Sequence, residues 1–423
     1  MNTSKPIWLA AGVRTPFTKV DGALAGRDAV SMSVPVLQAM ASRLSSSSQV
    51  DAAAWGSVIP NLGYSNLARE AWLDAKLDPR VPTSTVIMQC STSMMAAFDL
   101  AGRLSSGHGE LAIAGGVESM THVQFGLTQS MSDWVRKLAQ ARSWADRLGL
   151  IESAPFAEVR LQMQSIKNRS TGKSMGQHSE ETARQWQIGR AEQDAWAVQS
   201  HQRAVAAQDS GFFEDLIIGV DGADVDAFPR RSTSIEALAK LKPAFDKEHG
   251  TATAGNSSPL TDGAAALWVA TEAGLARIAT ETPRARLVDF EASSVDIFNE
   301  GLLMAPAYGI PRLLARNGLR YDDVHLWEIH EAFTGQVLYQ LKALESKSFL
   351  QDKVGIDASL GSVPRERINP NGGSVALGHP FGATGARILS QAIKELSAMP
   401  AGSRAIVSIC ADGGLGTVAL LEV

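Results

Sequence analysis

Residues 90–118, CSTSMMAAFDLAGRLSSGHGELAIAGGVE, decide the fold class of this chain. The first part, Ser91–Leu104, has the apolar spacing of a helix, and the second, Glu110–Gly115, is a short apolar run that ends in glycines. The same alternation of strand and helix occurs before about residue 120 and again after about residue 284. It predicts an α/β fold with buried sheets.

Further elements are predicted on both sides of this stretch. Short apolar runs predict strands at Ile7–Val13, Trp55–Ile59, Glu110–Gly115, Ala285–Phe290, His325–Ile329, Ala405–Cys410 and Thr417–Val423. Helical patterns cover Asp28–Leu44, Asn66–Leu77, Ser91–Leu104, Ile310–Asn317, Phe333–Ser346 and Ala383–Met399. In each half a strand runs into a glycine-rich turn, which indicates two similar halves.

The middle of the chain, from about 123 to 255, is more polar and has few strand-like runs. Residues 131–173 hold eight Lys/Arg against four Asp/Glu. Apolar residues repeat there at helical spacing, which favours one amphipathic helix that packs on the body and leaves a solvated basic face: Trp134, Leu138, Ala141, Ala145 and Leu148. The alternative is a patch for a partner subunit, an acidic cofactor or a membrane surface.

Composition excludes several classes of protein. A net charge of −5 gives no electrostatic reason to expect nucleic-acid binding. No apolar stretch approaches the roughly 20 residues that cross a bilayer, and Ile7–Val13 is too short for a signal-peptide core. The two cysteines lie far apart and do not resemble a disulfide framework. We therefore expect a cytoplasmic enzyme with free thiols.

Both cysteines lie where a regular element meets a turn. Cys90 precedes a predicted helix, whose positive N-terminal end favours a thiolate, and a thiolate is a strong nucleophile and acyl carrier. Cys410 ends a strand before Gly413 and Gly414, where a second thiol can act as acid and base toward carbon. The alternatives are a buried structural cysteine at position 90 and a resolving or structural cysteine at position 410.

Two histidines lie in comparable positions. His379 sits in a glycine-rich run, where ligands can approach closely, and suits a base that activates a thiol. His330 ends a predicted strand and can donate to a developing oxyanion, directly or through water, although a satisfied core histidine is the default. Glu331 could orient a neighbour. Because Thr334 occupies the last position of a His-Glu-x-x-His pattern, no metal site is predicted.

These segments together resemble the thiolase family, and the resemblance runs essentially end to end. Further segments match in order: Gly12–Pro16, Gly115–Met120, Met175–Gly176, Leu238–Phe245, Thr253–Ser258, Asp262–Ala266, His330–Phe333 and Gly378–Pro380. The resemblance implies a five-layered α-β-α-β-α core built from two similar halves, with an inserted loop domain. The expected domains are 1–122 plus 256–283, the loop domain 123–255, and 284–423.

The subtype follows from three features. His330-Glu-Ala-Phe333, the basic insertion 131–173 and Leu338–Ser346 look most like the thiolase subunit of fatty-acid oxidation complexes. This implies acyl-CoA substrates, coenzyme A as co-substrate and no tightly bound cofactor. It also implies a homodimer or dimer of dimers and a hydratase/dehydrogenase partner subunit. The basic pattern of 131–173 leaves peripheral contact with a membrane open.

The resemblance also assigns catalytic roles. Cys90 would attack the keto carbon of a 3-ketoacyl-CoA after His379 takes its proton, and Cys410 would protonate the acetyl-CoA carbanion. Coenzyme A would then release the shortened acyl group from Cys90. One oxyanion hole would use His379 with water held by His330. The other would use backbone N–H groups of Cys90 and of a residue in the turn at 413–414.

The resemblance also implies coenzyme A contacts, and at Asp412 the chain differs from the usual thiolase pattern. The implied contact positions are Arg230, Ser258, Met175, Phe245, Ala254, Phe333 and Met304. Asp412 stands where thiolases usually carry glycine or alanine. Its carboxylate would raise the pKa of Cys410, crowd the oxyanion hole or point to solvent.

Other functions stay open on the sequence. Within the family the alternative is a short-chain acetoacetyl-CoA thiolase, and the long insertion favours the degradative long-chain enzyme. A decarboxylating condensing enzyme has no use for Cys410, and a Cys/His hydrolase does not explain the coenzyme A segments. A non-catalytic lipid carrier or scaffold should tolerate loss of the catalytic residues, all of which are present.

Overall fold

The computed structural model describes residues 5–45, 48–155, 161–162, 165, 167–356 and 360–423. Its strands are β1 (Ile7–Ala10), β2 (Thr18–Lys19), β3 (Ala52–Gly56), β4 (Thr83–Thr85), β5 (Leu111–Glu118), β6 (Gly126–Leu127), β7 (Leu161–Gln162), β8 (Thr261–Ala270), β9 (Arg284–Ser294), β10 (Leu326–Ile329), β11 (Arg404–Ala411) and β12 (Leu415–Glu422).

The helices alternate with these strands. They are α1 (Ala29–Ser42), α2 (Leu67–Asp74), α3 (Thr92–Ser105), α4 (Gln129–Gln140), α5 (Trp144–Glu152), α6 (Met175–Gln185), α7 (Arg190–Asp209), α8 (Ile235–Ala239), α9 (Glu272–Leu275), α10 (Ala305–Arg316), α11 (Thr334–Leu344), α12 (Ser374–Leu377) and α13 (Thr384–Ser397). Short 3₁₀ turns precede α3 and α13, at Gln89–Ser91 and Phe381–Ala383.

One long sheet connects the two halves of the chain. Its strands follow the order β10-β11-β12-β9-β1-β8-β5-β3-β4, and β2 pairs with β8 off this path. In the first half β3 pairs with β5 in parallel, and β5–β8 and β8–β1 are antiparallel. In the second half β10–β11 is parallel, and β11–β12 and β12–β9 are antiparallel. The halves therefore have the same topology, and their equivalent edge strands β1 and β9 pair with each other.

The helices form layers on and between the two half-sheets. α3 packs on β3 and β5, α13 packs on β8, β10 and β11, and the two helices contact each other. A single core cluster joins residues of both helices to Leu267 and Val407 of the two half-sheets. α1 and α2 cover the outer side of the first half around Trp268, and α10 and α11 cover the second around Trp327. The layers run α-β-α-β-α, which confirms the predicted fold class.

The predicted strands and helices of the two halves exist, with two corrections. The strand expected at Trp55–Ile59 lies at Ala52–Gly56. The sequence pattern missed β8, although all ten of its residues are buried and it carries much of the first half-sheet. Alanine and glycine at the start of β8 have low strand propensity, and here the burial of both faces overrides that propensity.

The predicted single helix through Trp134–Leu148 is wrong. α4 ends at Gln140, Ala141 is extended with ψ 124°, and α5 starts after Ser143, whose hydroxyl accepts a hydrogen bond from the backbone N–H of Asp146. This serine is an N-cap that starts a second helix. The indole of Trp134 donates to the carbonyl of Leu150 at 2.7 Å, so α4 and α5 form a hairpin.

Parts of the basic segment 131–173 lie outside the described residues, namely 156–160, 163–164 and 166. Among the helices that the structure describes, none is both long and apolar enough to cross a bilayer.

Candidate active site

Cys90 lies at the beginning of the buried helix α3. It is the central residue of the 3₁₀ turn Gln89–Ser91 and is only 3% exposed. Gln89 has φ +51°, a left-handed conformation that costs energy for a residue with a side chain. Such strain persists where the surrounding structure fixes the backbone, and here it places the thiol at a helix N-terminus inside the molecule.

His379 is placed beside this thiol by the segment before α13. Gly378 has φ +100°, and a Cβ there would lie 2.9 Å from the ring of Phe228, so only glycine fits. The backbone N–H of His379 donates to the hydroxyl of Thr261 at 2.9 Å. Its Nε2 lies 3.2 Å from Sγ of Cys90, which is a hydrogen-bond distance for sulfur.

The tautomer of His379 follows from its second partner. Nδ1 lies 2.6 Å from the hydroxyl of Thr384, and that hydroxyl donates to the carbonyl of Pro380 at 2.9 Å. Since a hydroxyl has a single hydrogen, Thr384 must accept from Nδ1–H. Nε2 then carries the lone pair, so the atom that faces Cys90 can accept its proton.

His330 and Cys410 lie on neighbouring parallel strands of the second half-sheet. His330 directly follows β10, and Cys410 is near the end of β11. The rings of His330 and His379 have centroids 4.2 Å apart. One ring nitrogen of each, together with Sγ of Cys90, lie within 4.8 Å of one another. The structure thus brings Cys90, His330 and His379 together, with Cys410 buried on the adjoining strand.

Burial sets the protonation states of the reacting groups. It raises the pKa of Cys90 to about 12, and the charge of Asp412 adds to this effect. It lowers the pKa of His379 to about 3, with a smaller contribution from Arg387. Burial, and then the charge of Cys90, raise the pKa of Cys410 well above its ordinary value. The resting pair is therefore a neutral thiol and a neutral imidazole. The sequence predicted instead that the helix dipole favours a thiolate at Cys90, and burial acts in the opposite direction.

Asp412 acts on a different cysteine from the one expected. Its charge raises the pKa of Cys90, and it is not among the groups that raise the pKa of Cys410. Its carboxylate is half-buried and accepts from Nδ2 of Asn168 at 3.2 Å and from the N–H of Gly413 at 2.7 Å. The backbone N–H groups of Cys90 and Asp412 both lower the pKa of the Cys90 thiol, against the larger effect of burial. This pair of donors therefore includes Asp412, where the sequence suggested residues 413–414.

The expected coenzyme A positions fall into two groups. Four belong to one apolar cluster that also contains Cys410: Met175, Phe245, Met304 and Phe333. Phe245 and Phe333 meet edge to face with centroids 5.6 Å apart. Ser258 donates its N–H to the carbonyl of Ala332 beside this cluster, and Ala254 is exposed in the preceding turn. Arg230 is exposed and follows Phe228, the residue that packs against Gly378.

Several buried polar residues at the site were not predicted from the sequence. The carboxylate of Glu118 accepts hydrogen bonds from Ser57 and from three backbone N–H groups, including that of Gly382 near His379. Thr384, Ser374 and Arg387 contact the histidines or one another. The serine and threonine within the glycine-rich run were a usable signal. Arg387 was not, since an arginine in an amphipathic helix normally indicates a solvated face.

Comparisons with known proteins cover the whole chain. The family model described as "Thiolase, N-terminal domain" matches residues 7–273, and "Thiolase, C-terminal domain" matches residues 281–423. The chain is 34% identical to a 3-ketoacyl-CoA thiolase of Shewanella sediminis over 99% of this chain and 97% of that protein, and equally to one of Shewanella baltica. It is also similar to the crystal structure of the Bacillus anthracis acetyl-CoA acetyltransferase, with a TM-score of 0.80, 31% identity and full coverage of both chains.

Proposed function

The chain belongs to the thiolase family, and we propose on this basis that it is a 3-ketoacyl-CoA thiolase of fatty-acid β-oxidation. The reaction is cleavage of a 3-ketoacyl-CoA by coenzyme A, which yields acetyl-CoA and a shortened acyl-CoA. The similar Shewanella proteins have this name, and the similarity covers almost their entire length. The enzyme is an acyltransferase that uses coenzyme A as a substrate rather than as a resident cofactor.

The first half of the reaction uses the Cys90–His379 pair. Nε2 of His379 takes the proton of the thiol, and the sulfur attacks the keto carbon of the substrate. The carbon–carbon bond breaks, and its electron pair stays with the acetyl-CoA fragment. The S–H of Cys410 gives that carbon its proton, since a buried thiol with a raised pKa is held protonated and ready to donate.

The second half returns the enzyme to its starting state. The thiol of coenzyme A attacks the thioester at Cys90, its proton passes to Cys410, and the shortened acyl-CoA leaves as His379 returns its proton to the sulfur. We assign the stabilisation of the oxyanion at the thioester to the N–H groups of Cys90 and Asp412, both of which lower the pKa of the Cys90 thiol. The observation that carries the proposal is the 3.2 Å contact between Nε2 of His379 and Sγ of Cys90.

The catalytic roles can be separated by two assays on two variants. One assay measures thiolysis of 3-ketoacyl-CoA substrates from acetoacetyl-CoA to 3-ketohexadecanoyl-CoA. The other measures exchange of labelled coenzyme A into a saturated acyl-CoA, which needs an acyl-cysteine but no carbanion. Cys90→Ala should abolish both activities. Cys410→Ala should abolish thiolysis and only slow exchange, because a thiol loses its proton far more readily than carbon does. Exchange that survives in Cys90→Ala would refute the role of Cys90.

Chain-length preference separates the main proposal from its alternative. The Bacillus anthracis neighbour is named an acetyl-CoA acetyltransferase, which supports a short-chain enzyme as the second candidate. Thiolysis of long chains supports the β-oxidation enzyme. Activity confined to acetoacetyl-CoA would move the assignment to the short-chain class, and absence of thiolysis at every length would reject both in favour of a non-catalytic role.

For its assembly we propose a homodimer or dimer of dimers in the cytoplasm that binds a hydratase/dehydrogenase subunit. The α4–α5 hairpin supports the partner: Trp144 is 77% exposed and Leu148 62%, beside exposed basic residues such as Arg142 and Arg147. Large exposed apolar residues in a basic rim are typical of interaction surfaces. A Trp144→Ser/Leu148→Ser variant should lose the partner but keep thiolysis. If the parent protein binds anionic vesicles and the variant does not, this result would instead support the membrane alternative.

A further inference from the structure

Ser374 lies between the second histidine of the site and a buried arginine. Its Oγ is 2.8 Å from Nδ1 of His330 and 2.7 Å from Nη2 of Arg387. Ser374 is fully buried, and His330 and Arg387 are 1% and 3% exposed. No step of the proposed reaction uses this serine or this arginine, so their burial beside the reacting groups needs an explanation.

Counting hydrogens fixes the direction of both bonds. A guanidinium only donates, so Arg387 gives a hydrogen to Oγ of Ser374. The hydroxyl hydrogen of Ser374 then points elsewhere, and among the described residues its remaining partner is Nδ1 of His330. A hydrogen left without an acceptor at a buried site costs about 1–3 kcal/mol. The favoured arrangement is therefore Ser374 O–H donating to Nδ1 of His330.

This arrangement determines what the other ring nitrogen does. If Nδ1 of neutral His330 accepts, the hydrogen of the ring is on Nε2. Nε2 is buried and has no hydrogen-bond partner among the described residues. It is therefore a donor held near Cys90 and His379 without a group to satisfy it. Burial, and then the charges of His379 and Arg387, lower the pKa of His330, which keeps the ring neutral.

The neighbouring ring has the opposite arrangement. The hydroxyl of Thr384 is occupied by the carbonyl of Pro380, so it accepts from His379 and leaves a lone pair on Nε2. Two hydroxyl side chains therefore hold two histidines in different tautomers with ring centroids 4.2 Å apart. One ring can take a proton from the thiol, and the other can donate a hydrogen bond to negative charge.

We propose that Ser374 and Arg387 are positioning residues that hold His330 in its Nε2–H tautomer, as a fixed donor to the oxyanion that forms on the substrate. The proposal deepens the thiolase function and rests on it. Arg387 is essential to this arrangement. Its hydrogen bond to Oγ of Ser374 blocks the orientation in which Ser374 would accept a hydrogen bond from Nδ1 of His330. Arg387 is itself held by Oε1 of Gln391 at 3.2 Å, and the nearby carboxyl of Glu328 raises its pKa against the larger opposing effect of burial.

The tautomer can be measured directly on the unliganded enzyme. ¹⁵N-histidine NMR distinguishes a protonated from an unprotonated ring nitrogen, and His330→Asn identifies the signals of this residue. We expect Nε2 of His330 to be protonated and Nδ1 to be unprotonated between pH 6 and 9, whereas His379 shows the reverse. An Nδ1–H tautomer or an imidazolium at position 330 would overturn the proposal, and this readout does not depend on any measured activity.

Kinetics of a matched pair of variants test the consequence. Ser374→Ala should lower kcat for thiolysis about 10- to 100-fold, as loss of a partner that orients a functional histidine typically does, with little change in KM. Ser390→Ala removes a buried hydroxyl of α13 that bonds Gly12 and Ala266 and has no contact with His330, so its kcat should stay within about twofold of the parent enzyme.

The outcomes separate this proposal from the assigned activity. Thiolysis that persists in Ser374→Ala with unchanged kcat and an unchanged His330 tautomer rejects the positioning role and leaves the thiolase function intact. A parent enzyme without thiolysis rejects the function, and the NMR result then shows whether the tautomer is nevertheless fixed. A lowered kcat together with a mixed His330 tautomer, in a protein that melts like the Ser390→Ala control, supports the proposal.

Discussion

At the scale of the residue, burial controls the chemistry of Cys90 more than any neighbouring charge. Because burial raises the pKa of its thiol to about 12, the thiolate is a minor species at neutral pH. We therefore expect the rate of alkylation of Cys90 by iodoacetamide in the free enzyme to rise steadily from pH 7 to pH 10. A rate that already reaches a plateau near pH 7 would show a resting thiolate–imidazolium pair and contradict this expectation.

Asp412 makes a second contribution that can be isolated. Its negative charge raises the pKa of Cys90, and Asp412→Asn removes the charge but keeps an oxygen that can accept from Asn168 and Gly413. Alkylation of Cys90 at pH 8 should become about three to ten times faster, because removal of a like charge near a buried thiol lowers its pKa by about 0.5 to 1 unit. Asp133→Asn on the exposed surface is the control, and equal rates in the two variants would count against the role of Asp412.

Glu395 links the buried polar network to the stability of the fold. Burial raises its pKa from 4.5 to about 7, so the folded protein binds this proton more tightly than the unfolded chain. Its stabilising effect is present below about pH 4.5 and is lost as the pH rises to about 7. Glutamine is neutral at every pH. The free energy of unfolding of Glu395→Gln, relative to that of the parent, should therefore be larger at pH 8 than at pH 5. Urea denaturation at both pH values measures this, and an identical difference at the two would refute it.

At the scale of the element, the two inner helices meet closely at their beginnings. A Cβ on Gly385 of α13 would lie 2.4 Å from the backbone nitrogen of Met94 in α3. Gly385→Ala should therefore force the helices apart, lower the free energy of unfolding by about 1–3 kcal/mol and reduce kcat, because His379 precedes α13. Gly102→Ala, in open space on α3, should instead stabilise by about 0.4–1 kcal/mol. Equal effects would show that no close contact exists.

The elements also show what a sequence can and cannot predict. The long helices and the apolar strands of both halves follow from periodicity, because their burial pattern repeats along the chain. β8 was missed because its Ala264–Ala266 run lacks the branched side chains that mark strands, and its place is set by β1 and β5 on either side. The break at Ala141 was missed because Arg142 and Ser143 fit the polar face of a helix, and apolar residues continue at helical spacing on both sides.

The candidate site was predictable where residues stand in motifs. Cys90, His379, Cys410 and His330 lie at strand ends or in glycine-rich turns, and the structure gathers the first two with His330. The supporting groups were not predictable from spacing. Arg387 of α13 contacts Ser374 of α12, 13 positions earlier, and the effect of Asp412 on Cys90 depends on a distance across the two halves.

At the scale of the whole molecule, the pairing of β1 with β9 joins the two half-sheets into one. The helices α3 and α13 contribute to a large core cluster that both halves share, in addition to the outer cluster of each half. We expect both halves to lose structure together. Hydrogen exchange measured against denaturant should show amides of β5 and β11 losing protection at the same concentration. Protection lost in one half well before the other would indicate two independent folding units.

The matching topology of the halves has a consequence for where the proposed catalytic residues lie. α3 and α13 are equivalent elements, because each precedes the equivalent strand, β5 or β11, of its own half. The proposed nucleophile, Cys90, lies just before the start of one, and the proposed base, His379, lies just before the start of the other. The two halves therefore place different functional side chains, a cysteine and a histidine, at equivalent positions of the same topology. In the proposed mechanism neither half could catalyse the reaction alone. Because both halves belong to one chain, the two different helix starts are always present in a one-to-one ratio.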